Sequence, residues 1–568
     1  MMSRSLCLVQ LLLMALLPLI ACASAPSAGG AQSSAPQRVE QKRVVAAIRS
    51  EPGTLYTKVL TNPGGLQGLD ELELLVDSGL AVEDKQGELR PVLADAMPTI
   101  ENGQWRVFPD GRMEMTWRIR EGARWHDGTP FTSADLVFTA TLLLDRDMPT
   151  FNTSYYRPLD GVEAVDDRTI LVRWSRPFVR ADHIFTSPLA PPVPKHLLEE
   201  AYLTRKAAFT DLPFWSSEFI GTGPYKLREF VPGSRVILDA HDTYVLGRPK
   251  LDVLEVRFLQ ESNALSANIV AGEVELTIGR TISTEQALQI RDRWPRGHMD
   301  IAPGTLYRIS PQLLNPTPAV ISNLQFRRAL THALDRQQIV ESIQAGLVDV
   351  AHSFLTDLPE YREVNANGVR YDHDPRRAAE LIELLGYTRD SEGFFRDPAG
   401  TRLTVELRTT AGDDTREKML LSMSDYWQRS GVAVEQVLVP GQRNQDREYR
   451  ANRPGFVFSG GGSYLDGLED LHGSQSPLPE TNYVGRNDSR YVNPEFDALL
   501  DRYVATIPKQ ERMQVVARIV EHIAENLNII TLFPQAEPVM VANRVLNVVG
   551  HGPNSPQSWN AHEWDLAR

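Results

Sequence analysis

Residues 117–138, WRIREGARWHDGTPFTSADLVF, contain one complete local unit of structure. A strand-like segment leads into Asp127-Gly128, a pair of residues that favours a tight turn. Thr132 and Asp135 have the spacing of a helix capping box. Apolar residues follow at helical spacing, at positions 136, 137, 140, 143 and 144. The stretch therefore predicts a strand, a turn and a helix in succession.

On both sides of this stretch, strand-like and helix-like segments alternate without an internal repeat. The strand candidates are rich in Val, Ile, Leu or aromatic residues; they are 43–48, 113–119, 169–174, 234–239, 253–259 and 403–408. The helix candidates are 134–144, 263–271, 326–334, 375–385, 414–430 and 508–524. Mixed alternation of this kind predicts an α/β fold.

The composition is that of a folded protein with an acidic surface. The 568 residues include 59 Lys+Arg and 73 Asp+Glu, a formal net charge of −14, with 42% hydrophobic and 23% charged residues. The acidic excess argues against a nucleic-acid partner, because binding phosphates needs a dense basic surface. Cys7 and Cys22 are the two cysteines of the sequence, so a disulfide scaffold or a zinc cluster is not expected further along.

The amino terminus predicts export. Arg4 precedes an apolar run over 6–21 that is shorter than a membrane-spanning helix, so residues 1–21 are interpreted as a signal peptide. Residues 19–22, LIAC, resemble the bacterial lipobox, in which the signal is cut before a cysteine that is then lipidated, here Cys22. The alternative is an ordinary signal ending at 21–23 (ACA). Residues 22–41 would be a flexible tether that holds the body at a membrane.

Five motifs, in order along the chain, resemble those of one family. Residues 117–138 are similar to the signature of the solute-binding proteins of ABC importers for peptides and nickel, the bacterial extracellular solute-binding protein family 5. The resemblance continues at 91–94 (PVLA), 221–227 (GTGPYKL), 247–252 (GRPKLD) and 324–340 (LQFRRALTHALDRQQIV). We expect these motifs to be scaffold, with the glycines of 221–227 at tight turns and Pro224 fixing φ before a strand.

The resemblance implies a two-lobed, hinged fold like that of periplasmic binding proteins, with an extra domain in the amino-terminal half. Lobe I would comprise 42–82, 216–307 and 528–568, the extra α/β domain 83–215, and lobe II 308–527. The chain would cross between the lobes near Tyr307 and Leu527, which are the predicted hinges.

The resemblance also indicates a ligand-binding segment at 456–473, FVFSGGGSYLDGLEDLHG. In peptide-binding members the matching stretch carries Trp-x-x-Asp, in which the Asp binds the peptide's amino group. Asp466 matches this Asp, whereas Ser463 takes the Trp position and Tyr464 lies beside it. Gly461 and Gly462 belong to a glycine run that is either an anion-binding nest of backbone N–H groups or a flexible loop. For Asp466 the alternative is a solvent-facing loop acid.

The function implied is capture of a peptide or related solute by hinge closure and its delivery, unchanged, to an ABC permease and ATPase complex. We expect a monomer, lipid-anchored in the cell envelope and facing the periplasm or exterior, without cofactor or metal. Alternative ligands are oligosaccharides, nickel complexes and opines. The alternative function is a lipoprotein that keeps this fold for signalling or chaperone work. An enzyme is not expected: the common enzyme motifs are absent, and the adjacent His126 and Asp127 would rarely converge on one substrate.

Overall fold

The computed structural model describes residues 41–60, 67–148, 150–151, 156, 158–187, 189–355, 358–366, 368–462, 464–552 and 555–567. The predicted signal peptide, Cys22 and the tether up to residue 40 lie outside these residues, as does Ser463. The side chain of Asp466 is likewise outside the described part.

The strands alternate with helices along the chain, as the sequence predicts. They are β1 Arg43–Ile48, β2 Ala81–Glu83, β3 Leu89–Pro91, β4 Trp105–Val107, β5 Met113–Arg118, β6 Leu159–Asp166, β7 Thr169–Trp174, β8 Tyr225–Val231, β9 Arg235–Ala240, β10 Val253–Phe258, β11 Leu276–Thr277, β12 Gly297–Pro311, β13 Thr388–Arg389, β14 Phe395–Arg396, β15 Thr404–Thr410, β16 Ala433–Val439, β17 Phe456–Gly461, β18 Ile530–Ala542, β19 Val545–Leu546 and β20 Asp565–Leu566.

The helices lie between these strands. They are α1 Leu69–Val76, α2 Ser133–Leu144, α3 Lys195–Thr204, α4 Ser262–Ala271, α5 Thr284–Arg291, α6 Leu324–Ala333, α7 Arg336–Ile343, α8 Arg362–Ala366, α9 Pro375–Glu383, α10 Asp414–Arg429, α11 Arg447–Ala451, α12 Pro494–Ala505 and α13 Lys509–Asn526. Within the described ranges, none of them combines the length and apolar character needed to cross a bilayer.

One sheet runs through the body. Ten strands among the described residues form it, in the order β16-β15-β17-β12-β18-β11-β1-β10-β9-β8. Strand β1 pairs in parallel with both β10 and β11, whereas the long central strands β12 and β18 pair antiparallel to each other. The mixed sheet with interspersed helices confirms the α/β prediction.

Hydrophobic cores lie at the two ends of this sheet. One core contains Val44, Leu254 and Val541, and another contains Tyr307 and Phe533. Strands β12 and β18 contribute to both cores and therefore connect them. Their pairing register shifts between Pro303 and Leu306 and again between Tyr307 and Arg308. The ladder is thus interrupted where the two strands pass from one core to the other.

The stretch 117–138 folds as its pattern predicts. Strand β5 joins the four-stranded sheet β4-β5-β7-β6, and Thr132 and Asp135 form the capping box of α2. Helix α2 contributes side chains to two cores. Leu136 packs in the core of this small sheet, and Phe138 packs in the large core around Val44.

His126 has a structural role in this arrangement. Its Nδ1 accepts a hydrogen bond from the backbone N–H of Gly221 (3.2 Å), and its Nε2 lies 3.0 Å from the carbonyl oxygen of Gly223. Burial, with nearby His241, lowers the pKa of His126 to about 3. Asp127 instead meets Nε2 of His196 at 2.8 Å. The two neighbours therefore act separately, and His126 fastens the turn to the GTGPYKL motif.

The glycines of that motif are also required by close packing. Neither Gly221 nor Gly223 has a positive φ. A Cβ at Gly221 would lie 2.1 Å from the carbonyl oxygen of Val76, and one at Gly223 would lie 2.4 Å from its carbonyl carbon. The chain bends at 222–224, and the glycines also allow the motif to pack directly on the end of α1.

Candidate ligand-binding cleft

A cavity of about 390 Å³ lies between α1 and the loop after β11 on one side and the loop after β17 on the other. Its volume falls within the roughly 300–1,000 Å³ of small-molecule sites. The residues that line it come from the amino-terminal half, from the connecting strands and from the loop after β17; those used below are Asp70, Glu71, Arg280, Gly304, Gly462, Tyr464, Glu537 and His551. The cavity is therefore a candidate for the ligand-binding cleft.

The first wall is built on the carboxyl ends of parallel strands. Because β1 and β11 are parallel, both end at the same edge of the sheet, which is where α/β sheets bind ligands. After β11 the chain passes Gly279, whose φ is +69°, and a Cβ there would lie 2.5 Å from the Cα of Gly68. Gly68 is the N-cap of α1. This backbone contact brings the first turn of α1 beside Arg280.

Arg280 presents a cation to the cavity. Its backbone is left-handed, with φ of +53°, which is uncommon for a residue with a side chain and is concentrated at functional sites. It is exposed, and it forms no salt bridge or side-chain hydrogen bond with another described residue. Burial raises the pKa of Asp70, an effect that the charges of Arg280 and Lys58 oppose. The guanidinium donors of Arg280 thus remain available to a ligand.

Glu71 fastens the carboxy-terminal segment to α1. Its carboxylate accepts hydrogen bonds from the backbone N–H groups of Gln557 and Ser558 and from the Ser558 hydroxyl, all at 2.9 Å. The Ser558 hydroxyl also lies 2.9 Å from the Glu71 carbonyl oxygen. Burial raises the pKa of Glu71, although these hydrogen bonds and His551 lower it. The buried carboxylate therefore fixes one rim of the cavity.

The connecting strands form the back wall. Glu537 of β18 is 6% exposed, and its carboxylate lies 3.0 Å from Nε2 of His551. Burial lowers the pKa of His551, but Glu537, the carbonyl of Gly552 and the charge of Glu71 together raise it, so the net shift is upward. A Cβ on Gly304 of β12 would lie 2.2 Å from Oε1 of Glu537. Glycine at 304 is thus what makes room for the Glu537 side chain.

The loop after β17 supplies the opposite wall and carries the residues chosen from the sequence. Gly462 and Tyr464 line the cavity, and Tyr464 is 8% exposed. Asp466 has its backbone in the short 3₁₀ helix Leu465–Gly467. Its side chain and the whole of Ser463 lie outside the described residues. Their ligand contacts therefore stay predictions.

Gly461 lies beneath an arginine and does not line the cavity. It is the last residue of β17, paired with Leu306, and a Cβ there would lie 2.5 Å from Cζ of Arg308. Gly460 also belongs to this strand, paired with Tyr307. Gly462 is the member of the glycine run that lines the cavity.

Arg280, Asp70, Glu71 and Glu537 were not singled out from the sequence. Arg280 had a usable signal: it follows Gly279 directly after the strand-like segment 274–278 (VELTI), and the carboxyl end of a strand is a favoured ligand position. The described residues contain no group of three or more His, Cys, Asp or Glu side chains arranged to hold a metal ion.

Comparison with known proteins identifies the relatives of this chain. The family model described as bacterial extracellular solute-binding proteins, family 5 Middle, matches residues 89–481, more than half of the sequence. Oligopeptide-binding protein AppA of Bacillus subtilis is 23% identical over 536 residues, 92% of either chain. Heme-binding protein A of Haemophilus influenzae is 24% identical over 470 residues, 78% of this chain and 79% of that protein.

The fold is shared with a solved structure. NikZ of Campylobacter jejuni in complex with Ni(L-His) superposes with a TM-score of 0.70 at 20% identity, covering 93% of this chain and 100% of NikZ. The predicted two-lobed α/β fold of periplasmic-binding-protein type is confirmed.

Proposed function

Because the chain belongs to family 5 of the bacterial extracellular solute-binding proteins, we propose that it captures a peptide or a related small solute and delivers it, unchanged, to an ABC permease. The observation that carries this proposal is the cavity of about 390 Å³, whose walls come from the lobe I side, from the loop after β17 and from the strands that connect the cores. A ligand there contacts all walls when the lobes are closed, so binding favours the closed state.

The hinge belongs at the interruption of the β12–β18 ladder. Register shifts at Pro303–Leu306 and Tyr307–Arg308 remove regular pairing where the strands leave one core for the other. Leu527 packs in the same core as Tyr307 and Phe533. We therefore infer that the second crossing lies after Phe533, some residues beyond the Leu527 chosen from the sequence.

Among the charges that line the cleft, the guanidinium of Arg280 favours a ligand with a carboxylate, whereas Asp70, Glu71, Glu83 and Glu537 favour a cationic group. Arg280 is a cation without a salt bridge in the described part of the chain, and guanidinium pairs with carboxylate through two parallel hydrogen bonds. The family resemblance implies that Asp466 binds an amino group. A zwitterionic ligand such as a peptide would satisfy both, in agreement with the name of the B. subtilis relative.

Relatives of this chain suggest other ligand classes. A relative is named as a heme-binding protein, and NikZ holds a nickel–histidine complex; both ligands also carry carboxylates. Oligosaccharides and opines are further ligand classes of the family. A signalling or chaperone lipoprotein is the alternative function, and titration with candidate protein partners separates it from solute capture.

The proposed location follows from the amino terminus. Cleavage after residue 21 and lipidation of Cys22 would anchor the tethered body, as a monomer, to the outer face of a membrane. Replacing Cys22 with Ala should abolish incorporation of labelled fatty acid while leaving the binding of solutes unchanged. Labelling that persists in the variant would contradict the lipobox interpretation.

The experiment that tests solute capture is a calorimetric and thermal-shift titration. The probes are a pool of tri- to nonapeptides with free carboxylates, the same pool as carboxy-terminal amides, nickel–histidine and heme. A ligand at 100 times its Kd adds about 2.7 kcal/mol to stability, a clear rise in Tm. Absence of a shift with every probe would refute the proposal.

Arg280→Gln is the variant that tests the cation. It should weaken binding of the free-acid peptides by about tenfold or more, to the level of the amides, because a hydrogen bond to a charged group contributes about 1.5–3 kcal/mol. Arg293→Gln removes an exposed arginine of the same half of the protein and serves as the matched control. Equal loss in both variants, or none in Arg280→Gln, would exclude this role.

A further inference from the structure

A second cavity, of about 510 Å³, lies against the connecting strands. It shares no residue with the candidate cleft. Successive side chains of a strand point to opposite faces of the sheet. Ile301 and Pro303 of β12 line this cavity, whereas Gly304, next in the chain, lines the cleft. We call this space the hinge-side cavity, because its floor is the opposite face of the hinge strands.

The walls of the hinge-side cavity are largely apolar. Besides the floor, the lining includes Leu347, Val348, Val350 and Leu355 from the segment that follows α7. An apolar lining of this extent suits the hydrocarbon part of a ligand, since each buried CH₂ group contributes about 0.8 kcal/mol.

The segment that forms these walls is fixed to β18. The backbone N–H of Ala351 donates to the carbonyl oxygen of Leu532 (2.9 Å), and the Thr531 hydroxyl donates to that of Ala351 (2.9 Å). The buried guanidinium of Arg336 donates to the carbonyl oxygens of Ala351 and Thr531, both at 3.1 Å, and to that of Tyr371 at 2.7 Å. The cavity is therefore formed before any ligand binds.

The polar lining is cationic and incompletely paired. Arg362 and Arg370 are exposed, and within the described residues neither forms a salt bridge or a side-chain hydrogen bond. Among the described residues of the lining there are two arginines and one acid, Asp349. Nδ1 of His352 and Oδ1 of Asn365 are buried polar atoms without a hydrogen-bond partner in the described structure. Such atoms usually find a partner. As an N–H, Nδ1 of His352 can donate to a bound acid group, whereas Oδ1 of Asn365 is an acceptor and needs a donor from elsewhere.

We propose that the hinge-side cavity binds a small organic anion with an apolar body, its acid group at Arg362 and Arg370 and its body against the hinge strands. This site is additional to the cleft and does not depend on the ligand captured there. The volume of about 510 Å³ accommodates a chain of about ten carbons or a small fused ring system.

The test is isothermal titration of the full chain with decanoate and with indole-3-acetate, which carry the same acid group on an alkyl and on an aromatic body. Decylamine, which has the alkyl body with the opposite charge, is the matched probe. At least one acid should bind with a stoichiometry of one. Decylamine should bind at least tenfold more weakly than decanoate.

The variant Arg362→Gln/Arg370→Gln should weaken binding of the acid by tenfold or more without changing Tm, because neither side chain has a partner to lose. Arg376→Gln, an exposed arginine on α9 outside the lining, is the control and should leave binding unchanged. Val350→Trp, which fills the cavity, should abolish binding even if the charge variant is only partly effective. Three outcomes would overturn the proposal. The first is that neither acid binds at about 1 mM, a concentration that reveals weak sites. The others are equal binding of decylamine and binding of the acid that survives Val350→Trp.

Discussion

Replacing Glu71 with Ala should detach the carboxy-terminal segment from α1. The carboxylate accepts three hydrogen bonds of 2.9 Å, two of them from the backbone N–H groups of Gln557 and Ser558. Its loss leaves two buried donors without a partner, each costing about 1–3 kcal/mol. The third hydrogen bond adds a smaller contribution, and relief of the desolvated charge offsets part of the cost. The expected net loss is about 3–5 kcal/mol.

Hydrogen exchange measures this loss locally. The amides of the 3₁₀ segment Gln557–Glu563 should exchange roughly 100- to 4,000-fold faster in Glu71→Ala, since about 1.4 kcal/mol corresponds to a factor of ten. Glu71→Gln keeps one acceptor oxygen and should give an intermediate effect. Glu218→Ala removes an exposed acid and is the control. Unchanged exchange of this segment in Glu71→Ala would refute the role of the carboxylate as its anchor.

Two further predictions concern α1 and the strand end beside it. Burial raises the pKa of Glu73 to about 8 from its usual 4.5, so the folded state holds this proton more tightly than the unfolded state. The free energy of unfolding should therefore fall as the pH rises from about 4.5 to about 8. Urea titrations across this range should show a smaller fall in Glu73→Gln. If the pH dependence is the same in the variant, other groups cause it. Gly279→Ala should lower stability by about 2–4 kcal/mol, through its positive φ and the overlap of its Cβ with Gly68. Gly122→Ala, with a φ of +81° and open space around the new Cβ, should lose only about 1 kcal/mol by the same measurement, and equal losses would show that packing on Gly68 does not matter.

Local patterns in the sequence predicted most of the helices and outer strands. The strand over 169–174 has the predicted bounds, and helix α10, Asp414–Arg429, ends one residue before its predicted end. These segments carry a clear period of two or of 3.6 residues, and nothing in their interior opposes it.

The two connecting strands were missed for a physical reason. Strand β12 contains Pro303 and Pro311, and β18 contains Pro534 and Pro538. Proline lacks the N–H that a sheet ladder uses, so its presence argues against a central strand. Here the register shifts near Pro303 already interrupt the ladder. Two of these prolines, Pro303 and Pro534, also lie at the inferred hinge.

The cleft could be located only in part. The loop with Tyr464 was found through the family motif, because its residues are contiguous in the sequence. Arg280 and Asp70 are 210 positions apart (280 − 70), and they meet because the backbone at Gly279 packs on Gly68. No periodicity encodes such a contact, since it depends on the tertiary arrangement of two loops.

The sign of the net charge does not determine which ligands this protein binds. The chain carries a formal −14, which argues against a polyanion such as nucleic acid that must cover a broad surface. A small anion responds instead to the charges within a Debye length, about 8 Å at physiological ionic strength. Arg280 in the cleft, and Arg362 and Arg370 in the hinge-side cavity, are cations without a salt bridge in the described chain, although the charges of Arg280 and Asp70 interact. The net charge of −14 is therefore compatible with the two carboxylate sites proposed above.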